Sequence, residues 1–156
     1  MAESRIKIAK DKADLVQELT VAPGTTGPFQ TYADAIAFSA VLGAKHNKRV
    51  PLGEVSRKEP GPISIDIFIS RGYDLVIKLL AIAETQDINI LSPNDVEFES
   101  DRIHIFEEYA NGGLEILREE LRGAVDYTER LLLMLSLQRD QQEQSPGEFD
   151  LSRFLG

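Results

Sequence analysis

The chain has 156 residues, 42% of them hydrophobic and 28% charged, and it has no cysteine. A chain of about 150 residues buries roughly 70% of its unfolded surface, so one domain with a core of its own is expected and a disordered chain is excluded. The lack of cysteine excludes disulfides, thiolate nucleophiles and cysteine-ligated zinc or iron–sulfur clusters, and it makes the cytoplasm the expected compartment. The charged N-terminus, from Met1 to Lys12, has no apolar h-region, so no signal peptide is expected there. The longest apolar run, Leu131 to Leu135, is far below the roughly 18 residues of a membrane span. Net charge is −9, unevenly spread: residues 1–58 carry nine Lys/Arg against six Asp/Glu, and residues 59–156 carry eight against twenty. Such asymmetry leaves room for a local basic field despite the acidic mean.

Arg5 to Ala9 alternates polar and apolar residues and predicts a short strand. Asp11 is a candidate cap for a helix whose apolar stripe is Leu15, Val16 and Leu19. Residues 21–28, with two Pro and two Gly, predict a loop. Thr31 and Asp34 have the spacing of a capping box. The helix they open is rich in Ala, Ser and Gly and is apolar around nearly its whole circumference, which predicts a buried helix that neighbours approach closely. Ile63, Ile65, Ile67 and Ile69 alternate with Ser64, Asp66 and Phe68, which predicts a strand with a short helix as its rival.

Residues 73–86 predict a helix with two apolar faces, Val76–Ile77–Leu80–Ala83 and Leu75–Leu79–Ile82. Residues 92–100 predict an acidic loop. Residues 101–121 and 124–138 predict two helices in line, or one bent at glycine, with a stripe that runs from Ile103 through Phe106, Leu117 and Val125 to Leu132 and Leu135. Leu80, Phe106 and Leu117 sit on the strongest stripes. The expected fold is mainly α: a compact helical domain over 1–138, with one or two short strands and a long C-terminal helix or helix pair. Residues 139–156 are expected to form a mobile tail ending in a short apolar motif, with no internal repeat anywhere.

Few residue types for catalysis are present. The two histidines, His46 and His104, have no nucleophile elbow near them. His104, Glu107 and Glu108 share one helix turn but have no second ligand segment to complete a metal site, so a solvated helix face is expected. Gly112-Gly113 lacks phosphate-loop spacing and predicts close helix packing, with a hinge second. No catalytic residue, metal or cofactor is expected. Lys45, His46, Asn47, Lys48 and Arg49 form the one basic cluster, with Arg57 and Lys58 nearby, and are the candidate DNA contact; a solvated helix end is the alternative. Phe149, Leu151, Phe154 and Leu155 are the candidate partner-binding residues. Leu151, Phe154 and Leu155 fall together on one helical turn, either to dock in a partner's groove or to fold back on the domain.

Three segments, Gly27 to Pro51, Ile105 to Leu117 and Gly123 to Leu132, resemble a small family of bacterial proteins encoded alongside DNA phosphorothioation (dnd) genes, and the resemblance spans the whole chain. It implies a role beside the machinery that replaces a backbone phosphate oxygen with sulfur or that restricts unmarked DNA. It brings no catalytic residues with it. Sulfur insertion in such systems belongs to a cysteine desulfurase and iron–sulfur proteins, and a chain without cysteine can be neither. The expected function is therefore a non-catalytic accessory protein that binds other proteins of the system, with DNA contact and homo-oligomer formation as further expectations. The alternatives are a ribbon-helix-helix regulator whose Arg5–Ala9 strands enter a groove, and an acidic protein that mimics DNA.

Overall fold

The structure is a computed structural model that describes residues 4–144. It is mainly α. Strand β1 (Arg5–Ile6) pairs antiparallel with β2 (Ile63–Ser64), Arg5 opposite Ser64 and Ile6 opposite Ile63. The expected strand through Ala9 is thus cut short, although the backbone stays extended and Ala9 bridges Val55. The two strands pair within one chain as a two-stranded sheet.

Lys10–Lys12 form a 3₁₀ turn leading into α1 (Ala13–Glu18). Asp11 does not cap that helix, because it lies inside the turn and Lys12 occupies the cap position. Helix α2 (Tyr32–Lys45) opens with the expected capping box: Thr31 Oγ1 accepts the Asp34 N–H, and an Asp34 carboxylate oxygen accepts the Thr31 N–H, both at 3.2 Å.

The alternating isoleucines mostly take the rival conformation. After Ser64 the chain turns into helix α3 (Ile65–Ser70). Ser64 caps it by accepting the Asp66 N–H, and Phe68 buries completely with its ring edge-on to Phe106 at 5.6 Å. Helix α4 (Asp74–Thr85) follows, with a 3₁₀ turn at Ile88–Leu91. Half of the expected acidic loop is helix, because Asp95 caps α5 (Val96–Glu120) by accepting the Glu97 and Phe98 N–H groups. The chain breaks at Gly123, whose φ of 76° favours glycine, before α6 (Tyr127–Gln144). Helix α6 continues past 138, so residues 139–144 are helical.

The core is α2 laid across α5, with α1 and α4 closing its sides. Phe106 and Leu117 are fully buried, while Leu80 is only half-buried at the margin. Small residues let the two central helices touch backbone to backbone. A Cβ on Gly113 would lie 1.7 Å from the Ser39 carbonyl oxygen, one on Gly43 2.1 Å from that of Tyr109, and one on Gly112 1.8 Å from that of Lys48. Close packing, not a hinge, is thus what Gly112-Gly113 provides.

Gly113→Ala should therefore force α2 and α5 apart and cost at least the ~1–3 kcal/mol of an overpacked core. Gly61→Ala, where the nearest atom is an ordinary 3.5 Å away, should be close to neutral. Urea unfolding of both variants measures the contrast, and equal stability would contradict the packing described.

Candidate functional site

The basic segment begins where α2 ends. Asn47 takes a left-handed conformation (φ 51°), the Lys48 N–H donates to the Gly43 carbonyl at 2.8 Å, and the Asn47 N–H donates to Ala44 at 3.1 Å. This is the Schellman end of a helix, with asparagine where glycine is commonest, so Asn47 has a structural role of its own. Lys45 and His46 are exposed and lie beside the neutral amide of Gln138 on α6, at 3.3 and 3.5 Å. The other two cations face inward. Arg49 donates to Glu108 at 2.6 Å and to Glu84 at 2.9 Å, tying the segment to α5 and α4 at once. Tyr109 adds a hydrogen bond to Glu84. Lys48 pairs with Glu115 at 3.4 Å. The structure therefore brings the five residues together on one turn and neutralises two of their charges internally.

Two of the acidic partners, Glu108 and Glu115, belong to a polar edge of α5 that the sequence gives little sign of. Glu107 and Glu108, expected on a solvated face, are buried, and only His104 projects into solvent, its Nε2 3.2 Å from Glu108. Glu107, 4% exposed, accepts the Lys7 backbone N–H at 2.6 Å. Burial pushes its carboxyl up to about 7, against the lowering effect of that hydrogen bond and of the Lys7 charge. One turn later Asn111 accepts from Lys12 Nζ at 2.9 Å and donates to the Val50 and Pro51 carbonyls at 3.3 and 3.1 Å. Lys12 is 1% exposed and also reaches Asp11 at 3.3 Å and Glu115 at 3.5 Å. A cavity of about 440 Å³ opens beside this group, walled by Lys10, Lys12, Leu52 and Glu54.

Among the described residues no buried side-chain N or O atom lacks a hydrogen-bond partner, and no three His, Asp or Glu side chains are grouped to hold a metal. The polar edge therefore has the form of a clamp. It holds the N-terminal segment and residues 48–51 onto α5.

The family of DNA sulphur modification system-associated protein 4 matches residues 5–154. The chain belongs to that family. No curated protein and no solved structure matches it. In this family member the three segments that carry the sequence resemblance are structurally joined: Gly27–Pro51 contains α2 and its basic end, Ile105–Leu117 is the part of α5 it crosses, and Gly123–Leu132 leads into α6.

Among the described residues, two helix faces are exposed. Of the two apolar faces of α4, Ile77 and Ala81 on one are buried, while Leu75 (63%) and Leu79 (55%) on the other are exposed. On α6, Leu131 and Met134 are buried and Leu132, Leu133, Leu135 and Leu137 are not. The sequence stripe put Val125 and Leu132 toward the core, and both are exposed, because the break at Gly123 resets the helical phase. Phe149, Leu151, Phe154 and Leu155 lie outside the described residues. No helix among the described residues is long and apolar enough to cross a membrane.

The buried Glu107 gives the fold a pH signature. Its folded pKa lies above the ordinary 4.5, so the folded state holds the proton more tightly. The contribution of this group to stability is full below about 4.5 and is lost as pH rises toward 7. Glu107→Gln, neutral throughout, should flatten that fall. Urea unfolding of both proteins at pH 5 and pH 8 checks it: the variant should lose less stability than the wild type between the two, and parallel losses would refute the assignment. Asp34, held down at about 2 by Arg71, Tyr73 and Thr31 against the opposing effect of burial, titrates below this window.

Proposed function

We propose that this chain is a non-catalytic accessory protein of a DNA sulphur modification system, and that it works by binding another protein of that system through the bare face of α4. The observation that carries the reading is the exposure of Leu75 and Leu79 on successive turns of a helix whose opposite face is buried. Family membership supplies the context. Large apolar side chains held in water on a rigid helix are a surface for association. The chain as a whole is acidic, with twenty Asp/Glu against eight Lys/Arg over residues 59–156. A partner surface that fits is thus apolar where it meets the two leucines and basic overall, to suit an acidic chain. A non-catalytic role is supported by the polar clamp, whose ionisable groups bind one another.

Each purified protein of the system, tested singly against the chain, provides the measurement. One of them should bind, more weakly as salt rises, and the Leu75→Asp/Leu79→Asp double variant should lose at least about tenfold in affinity with its melting temperature preserved. Retention of none, or equal retention of variant and wild type, would end the proposal.

Direct DNA contact at the end of α2 is the second reading, favoured by one observation: Lys45 and His46 are exposed and lie beside a neutral amide rather than an acid. Arg49 and Lys48 would have to leave Glu84, Glu108 and Glu115 to reach a phosphate. If DNA is bound here, Lys45→Ala alone should lower the slope of log affinity against log salt by about one. An unchanged slope would remove Lys45 from the interface.

A further inference from the structure

Helix α6 carries the most exposed leucine of any element, and one of its flanks has a pattern that specifies its own partner. Arg130, Leu133, Leu137 and Asp140 are spaced three, four and three residues apart, so they form one stripe of the kind that lines a two-helix seam. All four are exposed, Leu133 at 53% and Leu137 at 54%. The stripe lies to the side of the one that holds α6 to the domain, which consists of Tyr127, Leu131, Met134 and Gln138.

Charge order along the stripe decides between occupants. Reversed about its midpoint at the level of Leu135, Arg130 falls on Asp140, Leu133 on Leu137, and each of the latter on the former. An interface formed by one patch on two copies must be self-complementary under a two-fold axis, and this stripe is. The same helices set parallel would oppose Arg130 to Arg130 and Asp140 to Asp140. The other flank, Thr128, Leu132, Leu135 and Arg139, has no acid to match its arginine and no such symmetry. Asp140 touches Arg139 of its own chain at 3.7 Å, but both side chains are exposed and such a contact is weak in water.

We propose that two copies of this chain associate through antiparallel α6 helices, Leu133 packing against the partner's Leu137 and Arg130 pairing with the partner's Asp140 at both ends of the seam. The contact spans about 15 Å, under three turns, and is smaller than the roughly 1,200 Å² of a standard interface, so a dimer with a dissociation constant of about micromolar strength is expected.

Sedimentation velocity of the full chain over a concentration series tests this, with wild type, R130D, D140R and the R130D/D140R double variant compared. Wild type should dimerise. Each single reversal places like charges at both ends and should weaken dimerisation by about tenfold or more. The double variant should regain it to within about threefold. Mixing R130D with D140R should give a heterodimer, because each then supplies the charge that the other lacks. Leu133→Asp should be monomeric with an unchanged circular-dichroism melt. A wild type that is monomeric throughout, or a double variant no better than the singles, would overturn the proposal. Because α4 takes no part, the outcome is independent of whether a system protein binds Leu75 and Leu79.

Discussion

The backbone contact between α2 and α5 is the constraint on which the other features depend. Glycine at 43, 112 and 113 removes the Cβ atoms that would otherwise stand 1.7–2.1 Å from carbonyl oxygens of the facing helix or, at Gly112, of Lys48 just past its end. With those atoms absent, the end of α2 lies directly on α5. That closeness puts Lys48 within reach of Glu115, Arg49 within reach of Glu108 and Glu84, and the Val50 and Pro51 carbonyls within reach of Asn111. A larger separation would take Arg49 from the buried Glu108 and the two carbonyls from the buried Asn111, at a cost in desolvated polar groups. The polar edge of α5 is thus a consequence of the glycine contact and also its lock.

Much of this was legible in the sequence, and the gaps have physical causes. The capping box at Thr31 and Asp34, the small-residue helix after it and the packing role of Gly112-Gly113 all follow from local patterns, and the structure has them. The isoleucine run from Ile63 misled because period two and helical burial of Phe68 alone make the same short pattern; Ser64, which can cap a helix, was the distinguishing residue. The buried charges were out of reach. Lys12 reads as part of a charged terminus and Glu107 as part of a solvated turn, and only the tertiary fold places Asn111 and the Lys7 N–H against them. An asparagine beside two glycines in an apolar stripe was the one available signal. The α6 stripe was misphased because a single glycine between helices shifts every later residue around the axis.

Charge takes on a different meaning once its positions are known. The basic end of α2 and part of the acidic excess of α5 cancel across a few ångströms at Lys48 and Arg49, while Lys45 and His46 stay exposed. Outside that seam the chain keeps its net acidic charge, and aliphatic side chains are exposed on α4 and α6. On the proposed function, the net acidity of the chain favours a basic protein surface over a phosphate backbone. The family association with DNA sulphur modification is compatible with that preference, since proteins that grip DNA present basic faces.

The two bare helix faces differ in what they can recognise. On α4 the exposed leucines carry no charge order of their own, so on the proposed function selectivity there comes from the net charge of the chain and falls with salt. On α6 the leucines lie between an arginine and an aspartate in an order that matches only its own reverse, which makes geometry rather than net charge the selecting element. Self-association through α6 would place two α4 faces in one particle, and a partner with two sites would then be held by both. Because the second contact becomes intramolecular, weak binding at each α4 face would be enough for a stable assembly. Weak contacts of that kind leave the single copy soluble and reserve tight binding for the assembled state.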